Sequence, residues 1–440
     1  MKLLKTDFLK NAGKLLSGSF VAQVIGLGAI IFLARLYDPD QFGELDTMLK
    51  MVAVMVAIAG LRYEVAIVVE DNERDAQEIT RLSLILNGLI SIILLGIILL
   101  FKEQIATFFQ LKNSNILFLL PLFVWLMSST ESLMNWKNRA KEYETISTNR
   151  VLTSLAGVGY KLSHPFTNLF QGNGLVIGHL IGQSIAFIHI ARKLPFSIFN
   201  TSRETLKKIA LKYKSFAVFS SPAALLNILA TSMPFFMIAA YDSQAATGHF
   251  GNAYKLTYLP MSMLAMALGQ VFFERIARLK SNKKEAAEIS HQLFNLMFGI
   301  AVIPVVILAV WGDQIAPFIL GEKWEEAGVY IQITIFFYFS MFLTSSFSSA
   351  FSTYGKLNIQ LVYNATFLIA TFSALYFSYK TGASTRVALA WFVVVGTILR
   401  IFILNYFFIL FGKNLIAKTI FAILIVAVLS WFGFGLKEGF

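Results

Sequence analysis

The chain has 440 residues, 57% of them hydrophobic and 14% charged, with a mean hydropathy of +0.67. Soluble domains carry about 25% charged residues, so this composition describes a membrane protein with many spans. It excludes the weakly alternating segments of a transmembrane β-barrel, and the lack of cysteine excludes disulfides, thiolate metal sites and cysteine nucleophiles.

The formal net charge of +12 lies in short loops, not in a soluble basic domain, so nucleic acid is not an expected partner. Candidate spans run over 14–36, 45–69, 81–101, 115–136, 147–170, 172–191, 214–240, 248–273, 289–311, 327–353, 357–379, 384–411 and 416–434. The basic N-terminus leads into the first of these. That run ends in Ala34-Arg35-Leu36-Tyr37 with no cleavage site, so an uncleaved first helix is expected. The stretch 147–170 is the weakest, being interrupted by Gly157, Gly159, Lys161 and His164-Pro165. Loop cations gather on one side, as in Lys2, Lys5, Lys137, Arg139, Lys207, Lys208 and Lys212, which predicts a cytoplasmic N-terminus. The expected organisation is all-α: a lobe of six helices over 1–191, a basic cytoplasmic linker at 192–213, a second six-helix lobe over 214–411, and a further helix within 412–440.

Parts of the chain recur about 205 residues apart. Ser17, Gln23, Tyr37 and Asp38 align with Ser221, Asn227, Tyr241 and Asp242 at one offset. After a one-residue slip, Gly43 aligns with Gly248 and Lys50 with Lys255. Glu78-Ile79-Thr80 then matches Glu288-Ile289-Ser290, and Gln104-Ile105-Ala106 matches Gln314-Ile315-Ala316. Six helices per half would keep both halves in one orientation, a parallel repeat.

Charges inside a membrane span cost several kcal/mol and face a bundle interior or a wet cavity. Four cations fall within spans, Lys50, Arg62, Lys255 and Arg400, and are candidates for binding an anionic substrate. Gln23, Asn227, Asn252, Tyr254 and Tyr258 supply further polar groups within spans and are candidate substrate-binding residues. Asp46 can pair with Lys50 one turn on. Arg62 and Glu64, two residues apart in a continuous helix, would point to different faces, so Arg62 is expected to find its anion elsewhere. Asp46, Glu64, Glu131 and His179 are the in-span groups able to bind a coupling ion. No metal cluster, nucleotide loop or nucleophile triad appears, so neither a metal nor a cofactor is expected.

Leu33-Ala34-Arg35-Leu36-Tyr37 running into Phe42-Gly43, the stretch from Leu61 to Ala76, the stretch from Asn252 to Arg275 and the stretch from Gly321 to Ile333 resemble the polysaccharide-transport (Wzx-type O-antigen or capsule repeat-unit) flippases. These belong to the multidrug/oligosaccharidyl-lipid/polysaccharide (MOP) exporter superfamily. The resemblance implies a MATE-like fold of two six-helix lobes in the bacterial inner membrane. It also implies transfer of an undecaprenyl-pyrophosphate-linked oligosaccharide from the cytoplasmic to the periplasmic leaflet by alternating access. The partners it implies are the lipid-linked oligosaccharide, membrane lipids, and the polysaccharide polymerase and chain-length machinery. A multidrug or cation antiporter of the same superfamily would want an acidic residue in the first helix, and 14–34 has none. A glycan polymerase or ligase would favour a large extracytoplasmic loop with acid/base residues. A transporter, not an enzyme, is therefore the expectation.

Overall fold

The computed structural model describes residues 2–167, 173–192, 194–198, 200–279 and 282–412. The further helix expected within 412–440 lies outside these, apart from Gly412, which closes the last helix. The described residues are helical throughout, with no strand. The first elements are α1 (Lys2–Leu36), α2 (Pro39–Ala59), α3 (Tyr63–Val69), α4 (Glu73–Phe108), α5 (Leu119–Arg139), α6 (Tyr143–Thr167) and α7 (Gly174–Ala191). They are followed by α8 (Arg203–Lys212), α9 (Ser221–Tyr241), α10 (Gln244–Arg278), α11 (Lys283–Leu320) and α12 (Glu325–Ser345). The short α13 (Ala350–Thr353) leads to α14 (Leu357–Lys380) and α15 (Thr385–Leu410).

Among the described residues, ten helices are long and apolar enough to cross a membrane, or eleven when α2 and α3 count as one broken span. With the apolar composition, this makes the protein a multi-pass membrane protein. Residues of α6 form the 25-residue helix expected over 147–170, although the run is too polar to meet the same standard. The outward faces are apolar: on α4, Ile92 and Leu100 are exposed while Ser83, Asn87, Ser91 and Ile98 are buried.

Helix starts follow local chemistry. Asp38 caps α2 in a capping box with Gln41, and Pro39 occupies its first turn. The side chain of Asn72 accepts from the backbone of Arg74 and Asp75 at the start of α4. The chain divides into two compact units, one of Met1–Ser232 with Ser243–Ala245, the other of Met233–Asp242 with everything from Ala246 onward. Element order repeats between them. The 36-residue α4 is followed by a 3₁₀ turn and the 21-residue α5, and the 38-residue α11 by a 3₁₀ turn and the 21-residue α12.

One expectation needs correction. The span at 45–69 is not one helix. It breaks after Ala59 and bends by 59°, because Leu61 and Arg62 take left-handed backbone angles, φ 47° and 61°, that no helix interior accommodates. Within the segment expected as a cytoplasmic linker, α8 packs on the rest of the first unit. Ile209 is buried with Tyr63, Ile67 and Ile79, and Tyr63 Oη donates to the Ala210 carbonyl at 3.0 Å. Lys212 Nζ bonds Glu70 at 3.0 Å and also Asp75, while Arg81 donates from Nε to the Ser197 carbonyl at 2.9 Å.

The Asn72 backbone N–H and Lys212 hold the Glu70 carboxyl below its usual range. Such a group adds stability above its unfolded pKa and loses it as pH falls through the lowered folded value. Hydrogen exchange over 203–212 should therefore rise, relative to the intrinsic rate, below about pH 4. Glu70→Gln should remove most of that pH dependence.

Candidate functional site

In the first unit, the break between α2 and α3 assembles a polar cluster. Arg62 caps α3 from a left-handed conformation, which swings its guanidinium to within 3.5 Å of Glu64 (Nη1 to Oε1). This corrects the expectation that Arg62 finds its anion elsewhere. That expectation assumed a helix, and the chain is not helical at Arg62. Glu64 is 6% exposed. Glu131 on α5 lies within electrostatic range of both.

Asn87 on α4 is fully buried and donates from Nδ2 to Ser132 Oγ on α5 at 3.2 Å. Ser83 and Ser91, one turn either side of it, and Ser129 and Thr130 on α5 present buried hydroxyls with no hydrogen-bond partner. Sequence reading missed this set because it sought charges. The available signal was the spacing of Ser83, Asn87 and Ser91, polar at every fourth position of an apolar run.

The remaining first-unit candidates are dispersed. Lys50 is half-buried on α2, one turn beyond buried Asp46. Glu44, on the preceding turn, accepts from Asn173 Nδ2 at 3.0 Å. Gln23 is half-buried on α1 and Asn227 exposed on α9. His179 packs its ring on Phe123 at 5.8 Å.

The second unit gathers its candidates more closely. Arg400 on α15 donates from Nη1 to Thr344 Oγ1 on α12 at 3.1 Å. Its guanidinium lies over two rings, Phe337 at 5.2 Å and Phe367 at 5.0 Å, each contact contributing about 0.5–2 kcal/mol. Among the described residues no carboxylate stands within salt-bridge distance of Arg400, and its buried Nε has no hydrogen-bond partner. Tyr258 and Tyr363 lie within range of its charge.

Tyr254, Tyr258 and Tyr338 form a triangle of rings with centroids 5.0–5.7 Å apart. Asn252 is fully buried, accepts from Lys255 Nζ at 3.4 Å, and leaves Nδ2 unpartnered. Tyr363 Oη and Thr397 Oγ1 are buried and unpartnered as well. Thr397 and Arg400 are three residues apart on one helix face, a signal that the sequence carried. Nothing in the sequence singles out Tyr338, Phe337 or Phe367, which lie on other helices of the apolar core.

Comparison with known proteins identifies the family and the fold. Residues 32–329 match the family of polysaccharide biosynthesis proteins, while no curated protein matches in sequence. In structure the chain is similar to the lipid II flippase MurJ in an inward closed conformation, with a TM-score of 0.70 at 14% identity over 96% of this chain and 98% of that one. It is similar to an inward-facing multidrug-resistance MATE transporter of the MOP superfamily, with a TM-score of 0.68 at 15% identity over 92% and 95%. A third likeness is to a MOP superfamily transporter from Pyrococcus furiosus, with a TM-score of 0.59 at 15% identity over 94% of each chain. The chain has the fold of the MOP superfamily and belongs to the polysaccharide biosynthesis protein family.

Proposed function

We propose that the protein is a flippase. It moves an undecaprenyl-pyrophosphate-linked oligosaccharide repeat unit from the cytoplasmic to the periplasmic leaflet of a bacterial inner membrane, by alternating access and with its N-terminus cytoplasmic. The observation that carries this reading is Arg400, a cation held with no carboxylate in salt-bridge distance among the described residues, beside groups whose unpartnered atoms can donate hydrogen bonds. Buried donors without acceptors are costly, and a diphosphate is rich in acceptors. The neighbouring tyrosine triangle offers flat faces and hydroxyls to sugar rings. Membership in a polysaccharide biosynthesis family supports the same substrate class. Under this reading the glycan polymerase and chain-length machinery are the partners that receive the product.

Deleting the gene should abolish surface polysaccharide and leave lipid-linked repeat units on the cytoplasmic leaflet, measured by their access to reagents in intact spheroplasts. Unchanged polysaccharide with new drug sensitivity would favour a multidrug antiporter instead. Orientation is checked separately, since the chain has no native cysteine. Exposed Asn200 and Ser384, each replaced by cysteine, should label from opposite faces of the membrane, Asn200→Cys from the cytoplasm. Labelling of both from one face would sink the proposed orientation.

A further inference from the structure

Helix α8 turns one side to the protein and leaves the other open. Leu206, Ile209, Ala210 and Tyr213 pack into the core of the first unit, and Lys212 is drawn to Glu70 and Asp75. The opposite side of α8 and of the turn after it carries Lys207, Lys208, Leu211, Lys214 and Ser215, all exposed. Each of the three lysines is three or four residues from Leu211, so they stand around it on one face. Leu211 is 59% exposed, and none of these lysines has an ion-pair partner among the described residues. Glu204, also exposed, is the one carboxylate on that face. The face therefore keeps an excess of positive charge.

Its place in the chain says what covers it. The next apolar span begins at Phe216, four residues beyond the end of α8, a stretch of chain that reaches at most about 14 Å. Helix α8 therefore lies at the membrane surface. At the head of that span Val218 and Phe219 are 58% and 74% exposed, as residues against lipid tails are. A topogenic signal needs only enough cations on one side of the membrane. It does not need them around an exposed leucine on the face turned away from the protein. That pattern suits a helix in the interface, where lysine stems cover apolar surface, ammonium groups reach phosphates and the leucine enters the acyl boundary. Zwitterionic headgroups balance their own phosphate, so headgroups with a net negative charge are the better match.

We infer that this face of α8 is a binding site for anionic phospholipids of the adjacent leaflet. Lys207, Lys208 and Lys214 hold the headgroup phosphates, and Leu211 inserts beneath them. The segment is then fixed to the first unit on one side and to the membrane on the other. The site stands whether or not the protein exports a glycan.

The test uses the full-length protein in lipid nanodiscs. The chain has no native cysteine, so Ser215→Cys places a single fluorophore beside Leu211. Phosphatidylglycerol and phosphatidylcholine, each with a nitroxide at the same acyl carbon, are compared as quenchers at equal mole fraction. Phosphatidylglycerol should quench at least about twofold more strongly, and the ratio should fall toward one as salt is raised to about 0.5 M. Lys207→Gln, Lys208→Gln and Lys214→Gln combined should bring the ratio to one at low salt. Arg275→Gln, Lys283→Gln and Lys284→Gln combined make the same charge change at exposed positions of the second unit, and should leave the ratio unchanged.

Equal quenching by the two lipids in the protein carrying only the label overturns the inference. So does a preference that survives the three lysine changes, or one lost equally with the second-unit changes, which would mean a diffuse field and no site. Absence of quenching by either lipid overturns it too, since α8 would then lie off the membrane. Should the triple lysine variant fail to fold, the salt titration decides: a preference lost with salt supports the site, and one indifferent to salt overturns it.

Discussion

Arg400→Gln should abolish polysaccharide export while lowering the protein's level in the membrane far less. Its removal costs two cation–π contacts and one hydrogen bond to Thr344 on any reading, so some loss of abundance is expected. If Arg400 were purely structural, export would fall only in proportion to abundance. Where a structural arginine leaves a carboxylate stranded, the penalty is larger, but no carboxylate among the described residues is within salt-bridge distance of this one. The two phenotypes therefore separate on an immunoblot run beside an export assay. Arg400→Lys refines the test. Lysine keeps the charge but loses the planar fork and the fit between Phe337 and Phe367. Export should fall at least tenfold if bidentate recognition matters, and little if charge alone is used. Arg62→Gln is a less clean experiment. It leaves Glu64 without its partner at 3.5 Å, so reduced abundance is the expected result there.

What the sequence shows and what it hides follow from physical range. Apolar run lengths place the ten described helices that are apolar enough to cross a membrane, because a helix in lipid must satisfy its own backbone and needs a fixed length to do so. The caps at Asp38 and Asn72 are local and readable for the same reason. The break at Gly60–Arg62 is hidden. The charges of Arg62 and Glu64 read as in-span charges, not as a break, and the left-handed angles of Leu61 and Arg62 are held by the packing of α3 on α4 and α5. The docking of α8 is hidden because its lysines and arginine outweigh Ile209, the single residue in it that is fully buried. Arg400 was legible as a costly in-span charge, but its ring neighbours come from α12 and α14, distant in sequence. The candidate polar residues of the first unit, Gln23 and Asn227, matched their repeat partners but do not join the cluster at Glu64. Repeat alignment finds equivalent positions, and in the first unit the distinctive chemistry arises where the two halves differ.

Gly182→Leu should prevent accumulation of the folded protein. Lipid tails are as apolar as leucine, so helices in a membrane gain little by hiding apolar surface from one another and associate through close packing instead. Helices α6 and α7 meet through glycines. A Cβ on Gly182 would lie 2.7 Å from the Thr153 carbonyl oxygen and 3.3 Å from Gly157 Cα. One turn earlier, a Cβ on Gly178 would lie 3.0 Å from the Gly157 carbonyl oxygen. The obstacles are backbone atoms, which cannot rotate out of the way, so the helices must move apart along their whole contact. Inserting bulk into a packed interface costs about 1–3 kcal/mol. Loss of close approach along the Gly178–Gly182 face should put this case at the upper end, a large share of the ~5–15 kcal/mol that holds most folds together. Separation of α6 and α7 would also strain the bond from Asn149 Nδ2 to the Ala186 carbonyl, 2.7 Å long and fully buried at Asn149. Gly96→Leu is the matched control. Gly96 has open space around its Cβ position on α4, and the same change there should leave abundance and melting temperature close to those of the unaltered protein. Equal loss at both positions would mean that leucine at any helical glycine is harmful, and the α6–α7 contact would carry no special weight.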